Sequence, residues 1–172
     1  MSIFKLHRVL KKYHQRDKQF VNLSNAKRIL ILTHAQTLQE LNEYSLYLKK
    51  KIPNKNLIIV GFLKTLQKRE KDETILFDKL ITKKNLNFWN NPTRKDIEWV
   101  HSQNVDVLIN LDLYSINALN ILTAASNAKI KCGCKSIHYE IFDSIINIPH
   151  EKDNKVLLEQ ILFYLNAIQV KN

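Results

Sequence analysis

The chain of 172 residues is the size of one domain, long enough to bury a core without disulfide or metal staples. Its 45% hydrophobic and 25% charged residues are ordinary for a globular protein, and no apolar run approaches the ~18 residues of a membrane span. The formal charge of +11 invites a nucleic-acid or anionic-membrane partner, but it comes from 22 Lys and only 5 Arg, beside 20 Ile, 18 Asn and 2 Gly. A bias towards A/T-rich codons raises Lys, Ile and Asn together and lowers Gly and Arg, so charge of this origin need not mark a partner.

The first segment, "SIFKLHRVLKKYHQRDKQF", predicts a helix on Ile3, Leu6, Val9, Leu10 and Tyr13, with Lys5, Arg8, Lys12 and Arg16 on its other side. Residues 1–20 carry six bases and one acid, +5 of the total charge. Those bases interrupt every apolar stretch and exclude a secretory signal, so a cytoplasmic location is expected. Residues 1–20 then form a basic amphipathic helix and residues 21–172 a single α/β domain. The helix either packs on that domain with a solvated polar face or uses residues 2–19 on a nucleic acid or an anionic membrane surface.

"RILILT" (Arg28 to Thr33) reads as a buried strand, and "AQTLQELNEYSLYLKKK" as a helix with Leu38, Leu41, Tyr44, Leu46 and Leu48 on its apolar side. Pro53-Asn54 breaks it, and "NLIIVGF" is a second strand ending at Gly61. Leu63 to Lys71 is a short helix or a loop, and "TILF" (Thr74 to Phe77) a third strand. Thr82 and Thr93 are candidate caps, the second for the helix "TRKDIEWVHSQ". Strand Val105–Leu111, helix Ser115–Ser126 and strand Lys129–Cys132 follow. "SIINI" (Ser144 to Ile148) is a sixth strand, and the last helix is amphipathic on Val156, Leu157, Ile161, Tyr164, Leu165 and Ile168. This alternation predicts a three-layer, Rossmann-like α/β domain with a mainly parallel sheet of about six strands.

In such sheets ligands bind beyond the carboxyl ends of the strands, where the strand order reverses. The chain places Thr33, His34, Gln36 and Thr37 after the first strand, Gly61 after the second, and Asp112, Tyr114, Ser115 and Asn117 after the fourth. An anion could meet the amides of the helix starting near Ser115; the plainer reading has Ser115 as that helix's cap and Asp112 in solvent. The first turn, "THAQTLQ", has no glycine, which excludes the usual dinucleotide and P-loop motifs. Cys132-Gly-Cys134 with His138 lacks the fourth ligand and the spacing of a structural zinc site. Reduced thiols, no metal and no cofactor are expected.

At "LKKKIPNKNLIIVGF" and "VDVLINLDLYSINALNILTAASNAKIKCG" the chain resembles the N-terminal half of heptosyltransferase-type glycosyltransferases. As a whole, including "KKNLNFWNNP", it is similar to a bacterial family of uncharacterised small Rossmann-like proteins. The first likeness implies a sugar or nucleotide enzyme whose catalytic acid follows strand one in a Gly-Asp turn; here that place reads "THAQ", so no catalytic residue carries over. The expectation is a non-catalytic protein that binds a protein partner or a small ligand.

Overall fold

The computed structural model describes residues 3–13, 15–65, 74–134, 139–147 and 153–169. Among them, helices α1 (Ile3–Tyr13), α2 (Leu38–Lys51), α3 (Arg94–His101), α4 (Asn117–Ala125) and α5 (Asn154–Ala167) alternate with strands. The strands are β1 (Arg28–Ala35), β2 (Asn56–Leu63), β3 (Lys79–Thr82), β4 (Val107–Asn110), β5 (Ile130–Cys134) and β6 (Ser144–Ile146). They form one sheet in the order β3-β2-β1-β4-β5-β6, and every pairing is parallel.

β1, β2 and β4 are mainly aliphatic because helices cover both faces of the sheet. Ile29, Ile31 and Ala35 of β1 pack with Leu38, Leu41 and Leu48 of α2 and with Leu157, Leu158, Ile161 and Leu165 of α5. Leu30 and Leu32 face the opposite layer, built by Leu6 and Val9 of α1, Ile97 and Val100 of α3, and α4. α1 is therefore part of the core. The chain leaves β1 outward through α2 to β2 and β3, then returns across the sheet to β4. The strand order reverses between β1 and β4, which makes their carboxyl ends the topological switch point.

Several expectations are corrected. "TILF" is not a strand: the Thr74 carbonyl and Leu76 amide bond the side chain of Asn42 on α2, at 2.8 and 3.0 Å, instead of a neighbouring strand. The third strand is the following "KLIT". The basic helix stops at Tyr13 rather than running to Gln19, because Arg16 turns back onto the domain: its guanidinium donates to the carbonyls of Ala128 (2.6 Å) and Lys129 (2.9 Å) and pairs with Asp143. Gly61 lies within β2, opposite Thr33, rather than at its end. Leu46, Val156 and Tyr164 are exposed; Ser45 and Leu158 take the inward positions, since Leu38, Leu41, Ser45 and Leu48 follow the three- and four-residue spacing of one helix face. Thr93 caps α3, accepting from the Asp96 amide. Thr82 precedes a 3-10 turn, where the Asn85 carboxamide oxygen accepts from both its amide and its hydroxyl. Most of Leu63 to Lys71, together with Ile148, falls outside the described residues. No helix among the described residues is long and apolar enough to cross a membrane.

Candidate functional site

The β4–α4 connection is a tightly tied turn. Asn110 at the end of β4 donates to Thr123 Oγ1 (3.0 Å) and accepts from the Asp112 amide (2.9 Å). The Asp112 carboxylate in turn accepts from the amides of Tyr114 (2.8 Å) and Ile116, and the Asp112 carbonyl accepts from Cys134 Sγ. Between those amides Ser115 adopts φ 57°, a left-handed conformation that a serine holds only when its neighbours are fixed. Neither expected role is met: Asp112 is buried and ties the turn that leads into α4, whose cap position is Ile116 with no side-chain capping bond, while the Ser115 hydroxyl accepts from Asn120. An anion would find the foremost amide, that of Ile116, already occupied. Burial pushes the Asp112 carboxyl above its ordinary range, against the opposing pull of the two amides and of His34.

This turn sets Tyr114 over the end of β1, edge-on to His34 with ring centroids 5.0 Å apart and planes at 88°. His34 Nδ1 lies 3.8 Å from Asp112 Oδ1, beyond hydrogen-bonding distance, and it is buried without a hydrogen-bond partner. Both rings stand at one end of a cleft of about 480 Å³, whose other walls are Gln36, the α2 residues Glu40, Glu43, Tyr44 and Tyr47, and Asp153 to Lys155 at the start of α5.

The far wall is aromatic. Tyr44 and Tyr47, three residues apart and so on one face of α2, stack at 5.7 Å and 19°. The Tyr44 hydroxyl is buried with no hydrogen-bond partner, and burial, then Tyr47 and Asp153, push its pKa well above the phenol range. Lys155 Nζ sits 5.2 Å from the Tyr47 ring centroid. Glu40 and Glu43 have local partners in the Gln36 amide and the Gln39 side chain, and Asp153 caps α5. With three carboxylates against the single Lys155 ammonium, a chain of net charge +11 has an acid-rich cleft.

Of the rim residues expected from the sequence, His34, Gln36 and Tyr114 line this cleft and Asp112 supports it. Thr33 is fully buried in the sheet. Gly61 faces α2 so closely that an added Cβ would lie 2.1 Å from Leu41 Cδ2. Asn117 lines a separate hollow of about 300 Å³. Tyr44, Tyr47 and Asp153 were missed, although the shared helix face of the two tyrosines is readable from their spacing. Of the basic set, Arg8 and Lys12 are exposed on α1, Arg16 is held by Asp143, and the side chain of Lys5 is outside the described residues. Cys132 and Cys134 are buried and unbridged on one strand face, and burial pushes the Cys132 thiol up to about 12; His138 is outside the described residues. No group of three or more His, Cys, Asp or Glu that could hold a metal ion occurs among the described residues.

The fold and its rim define the class: a doubly wound, all-parallel α/β domain with a polar, aromatic-walled cleft at the strand-order reversal. The chain belongs to a family of unknown function, DUF6913, which it matches over residues 3–168. It also resembles, weakly, the crystal structure of a glycosyl transferase family 9 protein from Veillonella parvula, with 12% identity and a TM-score of 0.49. That match covers 89% of this chain but only 44% of the other, so the chain spans less than half the length of that protein. No curated protein matches the chain.

Proposed function

We propose that the protein is a non-catalytic binding domain that takes a small polar organic ligand in the His34–Tyr44–Tyr114 cleft. The observation that carries this reading is the pair of buried polar atoms without a hydrogen-bond partner, His34 Nδ1 and the Tyr44 hydroxyl, on residues that line one cleft at the switch point. A buried polar group without a partner is costly, and a ligand that bonds both removes the cost. The acid-rich lining and the glycine-free first turn favour a neutral or amine-bearing molecule over a phosphorylated one. Binding rather than catalysis is supported by Asp112, whose carboxylate is occupied by the amides of Tyr114 and Ile116 and so holds the turn.

The test is thermal denaturation against a panel of amines, amino acids, sugars and nucleosides. At least one compound raises the melting temperature of the wild type, and both His34→Ala and Tyr44→Phe reduce that rise. A panel without effect, or a rise untouched by either substitution, would count against the cleft. Turnover of a bound compound would overturn the non-catalytic part.

A further inference from the structure

The turn between β3 and α3 displays a feature that the cleft does not use. Phe88 is 92% exposed, more than any other large hydrophobic side chain among the described residues, and Trp89 beside it is 64% exposed. The turn that carries them is tied down. Asn87 and Asn91 close it through a backbone bond of 3.0 Å, and the Asn87 side chain accepts from the amides of Trp89 (3.0 Å) and Asn91 (3.2 Å). Asn90 supplies the left-handed residue at φ 55°, and Leu86 and Pro92 pair as an isolated bridge at its base. Asn91, buried, accepts from the Asn117 side chain at 2.8 Å, which fastens the turn to α4. The sequence therefore holds two bulky apolar rings out in water on a preorganised tip.

The surroundings are basic. No acid occurs from Lys79 to Lys95. Lys79 is paired with Asp96 and Arg94 with Glu98, while Lys83 and Lys84 just before the turn and Lys95 just after it are exposed. Lys64 joins them from the end of β2, lining the same hollow as Lys83, Leu86 and Asn90.

We infer that the Leu86–Pro92 turn is an interfacial anchor: Phe88 and Trp89 enter the headgroup–acyl boundary of an anionic bilayer, and Lys64, Lys83, Lys84 and Lys95 meet its negative headgroups. An exposed apolar tip flanked by exposed lysines matches the two terms of such binding, area buried in the interface and attraction to anionic lipid. The convex tip fits a bilayer better than single-stranded nucleic acid. The two rings meet edge to face at 89°, so they share no plane on which successive bases could stack.

The experiment is co-sedimentation of the full chain with vesicles of phosphatidylcholine alone and of equal parts phosphatidylcholine and phosphatidylserine. The protein binds the mixed vesicles, weakly or not at all the neutral ones, and less as salt rises. In a Trp99→Phe background the remaining Trp89 emission shifts to the blue on binding. Phe88→Ala with Trp89→Ala lowers the partition coefficient about tenfold or more, as loss of two rings implies. Lys83→Glu with Lys84→Glu abolishes the preference for phosphatidylserine. These exposed positions leave the circular dichroism and melting temperature unchanged, so a loss of binding is not a loss of fold. The proposal is overturned if the wild type ignores the mixed vesicles, or if binding survives the aromatic double substitution. It is equally overturned if reversing Arg8, Lys11 and Lys12 on α1 abolishes binding that the turn variants retain, or if Trp89 instead reports binding of a single-stranded oligonucleotide.

Discussion

The Tyr44 hydroxyl allows stability and binding to be separated with one atom. In Tyr44→Phe the ring and its stack on Tyr47 remain, and the buried oxygen with no partner is removed. Leaving such a group unsatisfied costs about 1–3 kcal/mol. Because Tyr44 borders a cleft rather than the closed core, the lower end applies, and the free variant gains about 1 kcal/mol. For a domain of this size that is a rise of roughly 2–4 °C in melting temperature. Binding moves the other way. A ligand that bonds the hydroxyl loses about 0.5–1.5 kcal/mol, or roughly 2- to 13-fold in affinity. Calorimetry with and without the stabilising compound reads both quantities. Tyr47→Phe is the control: its hydroxyl contacts Glu159 at 3.3 Å on the exposed side, so it yields no gain in the free protein. A fall in the melting temperature of free Tyr44→Phe would refute the reasoning, since it would mean that the hydroxyl already has a partner and the cleft is only architecture.

Three further outcomes follow from other parts of the fold. Burial, then the nearby Arg16, lowers the Lys131 ammonium to about 7, with one bond to the Ala124 carbonyl at 3.1 Å. Unfolded, the same group keeps its proton to a pH of about 10, so the unfolded chain binds more protons between those values and stability rises with pH there, by up to about 1.4 kcal/mol per unit. Urea denaturation across that range should show the rise in the wild type, its loss in Lys131→Met, and a more stable variant at neutral pH; an unchanged slope would refute it. Gly61→Ala drives a methyl group into Leu41 and costs about 1–3 kcal/mol; combined with Leu41→Val it loses less than the sum of the two single losses, whereas strictly additive losses would mean that the contact is not the cause. Arg16→Ala leaves Asp143 without its guanidinium and the Ala128 carbonyl, just before β5, without that donor, while the Lys129 carbonyl keeps the Gln19 amide, for a loss of about 3 kcal/mol in chemical denaturation; a loss below ~0.5 kcal/mol would mean that the pair is only a surface contact.

What could be read from the chain, and what could not, divides along the range of the interactions that decide each feature. "RILILT" and "NLIIVGF" are legible as strands because burial on both faces calls for an uninterrupted aliphatic run, a local property. "TILF" has the same property and is not a strand; its backbone is claimed by Asn42, which is more than thirty residues away. The end of the basic helix is decided in the same way by Asp143, far along the chain, drawing Arg16 out of the helical path.

The cleft repeats that division. His34, Gln36 and Tyr114 could be placed near a site because a strand's carboxyl end is visible in the chain and the reversal of strand order is a general property of this architecture. Thr33 and Gly61 obeyed the same rule and fell elsewhere, because both lie short of the strand ends: Thr33 is buried within β1 opposite Gly61, and Gly61 is packed under Leu41 of α2. The opposite wall depends on α2 and α5 sharing one layer, which brings Tyr44 and Tyr47 to face Asp153 across more than a hundred residues of chain. Which layer each helix joins is set by the hand of the crossovers and not by the composition of either helix. The location of the cleft was therefore legible while its chemistry was not: a strongly basic sequence folds so that Glu40, Glu43 and Asp153 line one cleft.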